Sequence, residues 1–180
     1  GEEWPDFKSK TPTGFLPCLE YEDGTLIAES GAVSRVAAAQ AGLLGEGRDF
    51  AISEMLIGMT TDLWKLVGGK VPTIMTIGNW SPEKTTEWKD VHKPKVKAKL
   101  ETYVPLLKGD RFTGRGDTLG ELELWYRLWQ LVTGSYADIL SDVPGLKPFY
   151  DRVAELTGPK KFVNCETKFG DIPNYFVPLP

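Results

Sequence analysis

The sequence predicts an α+β fold, in which a small strand-containing unit precedes an all-helical domain. Two observations support this prediction. Strand and turn signals occur only before Gly42, and after the glycine-rich segment 42–47 the apolar residues recur every three or four positions, as they do on one face of a helix. We therefore assign residues 1–43 to the first unit, 44–165 to the all-helical domain and 166–180 to an extended tail.

The first unit is predicted from one stretch of sequence, residues 13–36. Residues 16–21 and 25–28 have the composition of short strands, and the acidic-glycine turn at 22–24 is of the kind that joins antiparallel strands. Ser30 then occupies the N-cap position of a helix. A helix N-terminus beside a strand end offers free amide N–H groups and the positive end of the helix dipole, so the sequence predicts a carboxylate site here.

The helical domain is predicted from apolar spacing and from helix start signals. Thr118 and Glu121 match a capping box, in which each side chain bonds the backbone of the other residue. We expect a break or bend near Pro94 and the end of the last helix at Gly158-Pro159. The predicted helices cover or begin at residues 49–67, 82, 96–107, 118–132 and 147–156.

Composition and charge exclude several functional classes. The 180-residue chain has a net charge of −4 and a pI near 5.2, which argues against a nucleic-acid partner. Cys18 and Cys165 do not make a disulfide framework, and we interpret Cys18 as a core residue of a protein from a reducing compartment. His92 is the only histidine, so no metal site is predicted. No apolar run reaches the roughly 18 residues that span a bilayer, and we expect a soluble, cytoplasmic protein.

The order of these motifs resembles the glutathione S-transferase family, in particular its sigma-like branch. The Gly-Phe-Leu-Pro segment at 14–17 matches the segment that opens the family's third strand, and the Glu-Ser pair at 29–30 matches the start of its third helix. The capping box at 118–121 and the Pro-Gly-Leu segment at 144–146 match its C-terminal domain. The resemblance covers residues 3–165 and implies a partial thioredoxin-like domain followed by an all-α bundle.

The resemblance implies a glutathione site built mainly on backbone. In the family the proline of the Gly-x-Leu-Pro segment is cis, which assigns a cis bond to Pro17. The preceding residue, Leu16 here, offers its backbone N–H and C=O to the cysteinyl part of glutathione. Glu29 and Ser30 correspond to the pair that holds the γ-glutamyl end. Ser30 has the alternative interpretation of a helix cap without ligand contact.

Three further residues are assigned by the same resemblance. Trp4 and Lys8 fall at the spacing of the sigma-like branch and would clamp the glycyl carboxylate of glutathione. Asp62 falls where sigma-like proteins place an acid that reaches the glutathione amine of the partner subunit. The alternative interpretations are a packed tryptophan, a solvated lysine and a solvated acid.

The resemblance leaves the catalytic group unassigned. In the family a Tyr, Ser or Cys on the first strand activates the glutathione sulfur, and this sequence begins after the matching strand–helix–strand segment. We therefore expect the strand at 16–21 to expose an edge that an upstream segment, another chain or the tail covers. We also expect the 180-residue chain alone to hold glutathione without activating it.

Two functions are consistent with this sequence. The first is a glutathione S-transferase that joins glutathione to small hydrophobic electrophiles, if the upstream segment is present in the native protein. The alternative is a non-catalytic binding or assembly subunit of a larger complex. The resemblance implies glutathione as substrate or ligand, and either a homodimer or a place in a larger assembly.

Overall fold

The computed structural model describes residues 3–114, 116–168 and 176–179, and it has the predicted α+β architecture. The first part of the chain contains α1 (Trp4–Lys8), β1 (Cys18–Glu20), β2 (Leu26–Ala28) and α2 (Ser30–Gln40). The helical part contains α3 (Arg48–Val67), α4 (Pro82–Glu87), α5 (Lys93–Glu101), α6 (Leu119–Thr133), α7 (Ile139–Asp142), α8 (Lys147–Ala154) and α9 (Thr157–Val163). Within these ranges the only sheet is the β1–β2 hairpin.

The hairpin forms around the predicted acidic-glycine turn. The Tyr21 N–H donates to the Thr25 carbonyl at 2.9 Å, and the Asp23 carboxylate accepts from the Thr25 N–H at 2.8 Å. Gly24 has a φ of 84°, which suits glycine. β1 begins at Cys18 rather than at residue 16, because Pro17 has no N–H to donate to a ladder. The antiparallel register pairs Cys18 with Ala28, Leu19 with Ile27 and Glu20 with Leu26.

The prediction that Ser30 is an N-cap is wrong. α2 begins at Ser30 itself, and Glu29 occupies the cap position with a φ of 75° and no side-chain cap hydrogen bond. The chain turns sharply at Glu29, so Ser30 is already helical and cannot take the extended conformation of a cap. The Glu29 carbonyl accepts from the N–H groups of Ala32 and Val33, each at 3.0 Å.

The helical core is centred on the α3–α6 pair. Gly120 at the start of α6 lies so close to α3 that an added Cβ would be 2.3 Å from the Ser53 carbonyl oxygen, so only glycine fits. The Gly120 N–H also donates to Ser53 Oγ at 3.0 Å. Full burial of each leucine in this core contributes about 1.5–3 kcal/mol. The buried residues of the core include Leu56, Leu63, Val96, Leu100, Leu124, Leu128, Phe149 and Val153.

Two predicted helix boundaries differ from the structure. Instead of a break at Pro94, a π-helical turn over Trp88–His92 precedes α5, and the chain stays helical through the proline. The proline is tolerated because it lies in the first turn of α5, where its missing N–H has no intrahelical partner. Gly158-Pro159 does not end a helix, since α8 ends at Ala154 and the pair lies in the first turn of α9.

Glu121 does not complete the predicted capping box. Thr118 precedes α6 as its N-cap, but its side chain makes no cap hydrogen bond. The fully buried Glu121 carboxylate instead accepts from the backbone N–H groups of Phe112 at 2.9 Å and Thr113 at 3.4 Å, and from Thr113 Oγ1 at 2.9 Å. Arg152 Nη2 is 3.7 Å away. The carboxylate therefore anchors the preceding loop to α6, because that loop presents donors that the cap does not.

The described end of the chain returns to the helical part rather than to the hairpin. Phe176 is buried, stacks on Trp64 with ring centroids 5.4 Å apart and forms an isolated bridge with Thr73. The Val177 N–H donates to the Pro72 carbonyl at 3.2 Å. Much of the predicted tail, residues 169–175, lies outside the described residues. The domain limits at residues 43 and 165 stay a prediction. None of the described helices has the length and apolarity to cross a membrane.

Candidate ligand-binding groove

A groove with a volume of about 780 Å³ lies between α2, α3 and α6, and we call it the α2–α3–α6 groove. It opens beside the N-terminus of α2 and contains both polar and aromatic side chains. The residues of α2 that line it are Ser30, Gly31, Ser34 and Arg35, those of α3 include Glu54, Ile57, Gly58, Thr61 and Trp64, and those of α6 are Glu123, Tyr126 and Arg127.

The first turn of α2 supplies backbone donors at one end of the groove. The first N–H groups of a helix have no partner within the helix. Here the N–H groups of Ser30 and Gly31 donate to no described residue. The Gly31 carbonyl accepts from Arg35 Nη1 at 2.9 Å, and the other two donors of Arg35 bind the Glu54 carboxylate of α3. This hydrogen bonding with Glu54 raises the pKa of Arg35. The arrangement suits a carboxylate ligand.

The other end of the groove is aromatic and cationic. The Arg127 guanidinium lies 4.2 Å from the centroid of the Trp64 ring and 5.7 Å from that of Tyr126. Burial lowers the pKa of Arg127. One turn earlier on α6, burial raises the pKa of Glu123, and the charges of Arg127 and Arg35 oppose that rise. This end therefore offers stacking surfaces together with two incompletely solvated charges of opposite sign.

The structure brings together the predicted residues of the hairpin and α2. The Leu16–Pro17 bond is cis, as the resemblance implied. Since Cys18 pairs with Ala28, Pro17 and Glu29 follow from neighbouring ends of β1 and β2 and lie at the same end of the hairpin. Ser30 comes next and lines the groove. Leu16, Pro17, Glu29 and Ser30 are exposed, so each is accessible to a ligand.

Of the remaining predicted residues, two lie near this region and one does not line it. Lys8 on α1 packs beside Gly14, where an added Cβ would be 3.4 Å from Lys8 Cε, and Trp4 contacts Phe7 on the same helix. Asp62 on α3 is exposed and is absent from the groove lining.

Asp62 is instead engaged by lysines of its own chain. Its carboxylate is 3.1 Å from Lys65 Nζ and 3.7 Å from Lys99 Nζ. The hydrogen bond from Lys65 lowers the pKa of Asp62, and Lys99 acts in the same direction. A contact from Asp62 to a ligand on a second subunit would have to compete with these two ion pairs.

Sequence reasoning missed the charged residues of the groove. Arg35 is the only charged residue in α2, which was a signal that it has a specific partner. Arg127 lies in an aromatic-rich segment, where only Tyr126 and its tryptophan neighbours were interpreted as core or pocket lining. Cys18 is half-buried rather than in the core, because the two-stranded sheet covers only one of its sides. Among the described residues no cluster suits a metal ion.

Comparison with known proteins identifies similar chains. No family model matches the sequence. The chain is 29% identical over 174 residues to glutathione S-transferase 1 of Ascaris suum, a match that covers 90% of this chain and 79% of that protein. The crystal structure of the glutathione S-transferase from Ascaris lumbricoides matches with a TM-score of 0.75 and 26% identity, over 93% of this chain and 82% of that chain. A Fasciola hepatica sigma class enzyme shares the fold, with a TM-score of 0.69 and 23% identity over 93% and 81% of the two chains.

Proposed function

This chain belongs to the glutathione S-transferase family, and we propose that it binds glutathione at the shared end of β1, β2 and α2 and conjugates it to small electrophiles. The observation that carries the proposal is the position of Pro17 and Glu29 beside the unpaired N–H groups at the start of α2. The site opens into a groove that is large enough for a second substrate.

The γ-glutamyl end of glutathione has the best defined place in this proposal. Its carboxylate would accept from the N–H groups of Ser30 and Gly31 and from the Ser30 hydroxyl, where the α2 dipole favours a negative charge. Glu29 would accept from the glutamyl ammonium group. Because Glu29 also repels a carboxylate, the ligand must direct its amine, and not its acid, toward this side chain.

The rest of the peptide would extend along the loop before β1. The cysteinyl part would pair with the backbone N–H and C=O of Leu16, as the family resemblance implies. Lys8 and Trp4 would bind the glycyl carboxylate by charge and by an indole N–H. Lys8 is exposed and its stem lies beside Gly14, two residues before Leu16, so its ammonium group can reach this loop.

Conjugation requires a thiolate near neutral pH, whereas an unperturbed thiol titrates near 8.5. A donor aimed at the sulfur would lower the thiol pKa, and no residue of this chain is assigned that role. The thiolate would then attack an electrophile held in the α2–α3–α6 groove, with the aromatic side chains of Trp64 and Tyr126 as its contact surfaces.

One observation favours a non-catalytic alternative. β1 pairs only with β2 among the described residues, so its outer edge is open to a further strand. An open strand edge is a template for association with another chain. In this alternative the protein is a binding or assembly subunit of a larger complex. The enzyme proposal also includes a homodimer in which Asp62 of one subunit approaches the glutathione of the other.

Calorimetric titration with glutathione and with cysteinylglycine, which lacks the γ-glutamyl group, tests the binding site. We expect glutathione to bind and cysteinylglycine to bind at least about tenfold more weakly, since the α2 contacts are lost. Equal affinities would contradict the assigned orientation. Conjugation of 1-chloro-2,4-dinitrobenzene then separates the two functions, because glutathione binding without turnover supports the non-catalytic subunit.

A further inference from the structure

Arg127 contacts two aromatic rings at one end of the α2–α3–α6 groove. Its guanidinium carbon is 4.2 Å from the Trp64 ring centroid and 5.7 Å from the Tyr126 ring centroid, and all three side chains line the groove. Stacking on an aromatic face fixes the plane of a guanidinium. The groove therefore contains a flat cation that is held in place before any ligand binds.

Most of the hydrogen-bonding capacity of Arg127 is unused. A guanidinium has five N–H donors, and Arg127 Nη1 donates to Gln130 Oε1 at 2.7 Å. No carboxylate within residues 3–114, 116–168 and 176–179 forms an ion pair with it. Burial lowers the pKa of Arg127, because the charged form has lost part of its hydration. A bound anion would compensate for that loss.

Glu123 is the nearest opposing group on the same helix. It lies one turn before Arg127 and lines the groove, but the two side chains do not form an ion pair in the described structure. The other carboxylate of the groove, Glu54, is already bound by Arg35. Glu123 thus weakens the positive potential around Arg127 without occupying its donors, which makes it a useful second position for a test.

We propose that Arg127 gives the α2–α3–α6 groove a preference for ligands that join an aromatic ring to an anionic group. The Trp64 and Tyr126 faces supply stacking surface, and the free N–H groups of Arg127 match the two oxygens of a carboxylate or sulfonate. The inference rests on the proposed function in that it treats this groove as the place of the second substrate.

Two fluorescent probes that differ only in charge test this preference. 8-Anilinonaphthalene-1-sulfonate carries a sulfonate, and N-phenyl-1-naphthylamine has the same ring system without it. For Arg127→Gln we expect the Kd of the sulfonate to rise about tenfold and that of the neutral probe to change less than about twofold. Arg48→Gln is the matched control, since it removes the same charge from an exposed position in a different hollow and should leave both constants unchanged.

Two further variants keep the test independent of any folding defect in Arg127→Gln. Glu123→Gln should tighten sulfonate binding about threefold, because it removes the opposing charge, and Arg127→Lys should retain only part of the affinity, because it loses the planar fork. Equal losses for both probes in Arg127→Gln, or no gain in Glu123→Gln, would overturn the inference. Glutathione titration of the same proteins reports separately on the proposed function, so failure of either proposal is identified by its own ligand.

Discussion

Arg35 on α2 and Glu54 on α3 form a bidentate ion pair, with Nε 3.1 Å from Oε1 and Nη2 2.7 Å from Oε2. The remaining Arg35 nitrogen, Nη1, donates to the Gly31 carbonyl at 2.9 Å. One side chain thus connects the first turn of α2, which we assign to the γ-glutamyl carboxylate, to the helical part of the protein. Because lysine cannot reproduce this planar fork, the geometry is specific to arginine.

We expect Arg35→Gln and Glu54→Gln each to lower the free energy of unfolding by about 1 kcal/mol, since both side chains are partly exposed to solvent. Each change should also weaken glutathione binding, because the first turn of α2 loses its support. Urea denaturation and calorimetric titration measure the two effects. The exchange Arg35→Glu with Glu54→Arg should restore part of the stability, and a double variant no better than the singles would show that the pair has no coupling.

Ser30→Ala should weaken glutathione binding by about 1–2 kcal/mol, through loss of one hydrogen bond to a charged group. The free energy of unfolding should stay nearly unchanged, because Ser30 begins α2 and does not cap it with its side chain. Titration of the folded protein, combined with denaturation, separates these quantities. Ser141→Ala, at an exposed position of α7, is the control. A large stability loss without a change in affinity would give Ser30 a purely structural role.

Glu121→Ala should lower the free energy of unfolding by about 3 kcal/mol or more. It leaves the buried N–H groups of Phe112 and Thr113 and the Thr113 hydroxyl without their acceptor. Glu121→Gln retains an acceptor oxygen and should cost less. Chemical denaturation measures both, with the exposed Glu22→Ala as control. Similar stabilities for the two Glu121 variants would mean that the acceptor oxygens contribute little.

The Tyr103 hydroxyl is buried and has no hydrogen-bond partner among the described residues. Burial raises the pKa of Tyr103 to about 12 from its ordinary 10. The folded state therefore retains a proton that the unfolded state releases above pH 10. The corresponding stability is complete below pH 10 and is lost as the pH rises toward about 12. Absorbance titration should show one late-titrating tyrosine.

Tyr103→Phe is the matched variant for this pH dependence. It removes the titrating group and leaves the ring contact with Phe112, whose centroid is 6.4 Å away. The late absorbance step should disappear, and the loss of stability between pH 10 and about 12 should become smaller. Tyr21→Phe, at an exposed position, should leave both unchanged. A late step that persists in Tyr103→Phe would assign it to another tyrosine.

Local sequence signals predicted the elements of the fold well. The Glu22-Asp23-Gly24 turn was found from residue type, because the Asp23 side chain and the positive φ of Gly24 act within the turn itself. α3 and α6 were found from apolar spacing, which records the face that a helix buries. The cis bond at Pro17 came from the family resemblance and is confirmed.

The side-chain partners could not be found in the same way. Thr118 and Glu121 have the spacing of a capping box, yet Glu121 binds the loop at Phe112 and Thr113 because folding places unpaired donors there. Ser30 has the residue type of a cap, yet the turn at Glu29 makes it the first helical residue. In both cases the residue type was compatible with two arrangements, and neighbours from other segments selected one.

The sequence by itself determined the hairpin, the helical stripes and the family, because each depends on residue type and on spacing within one segment. Only the tertiary structure decided which side chains face each other across the groove. Arg35 and Glu54 are 19 residues apart, and Arg127 meets Trp64 from a different helix. Apolar periodicity specifies which face of a helix is buried, but not which helix covers it. Charged pairs between helices are therefore set by packing.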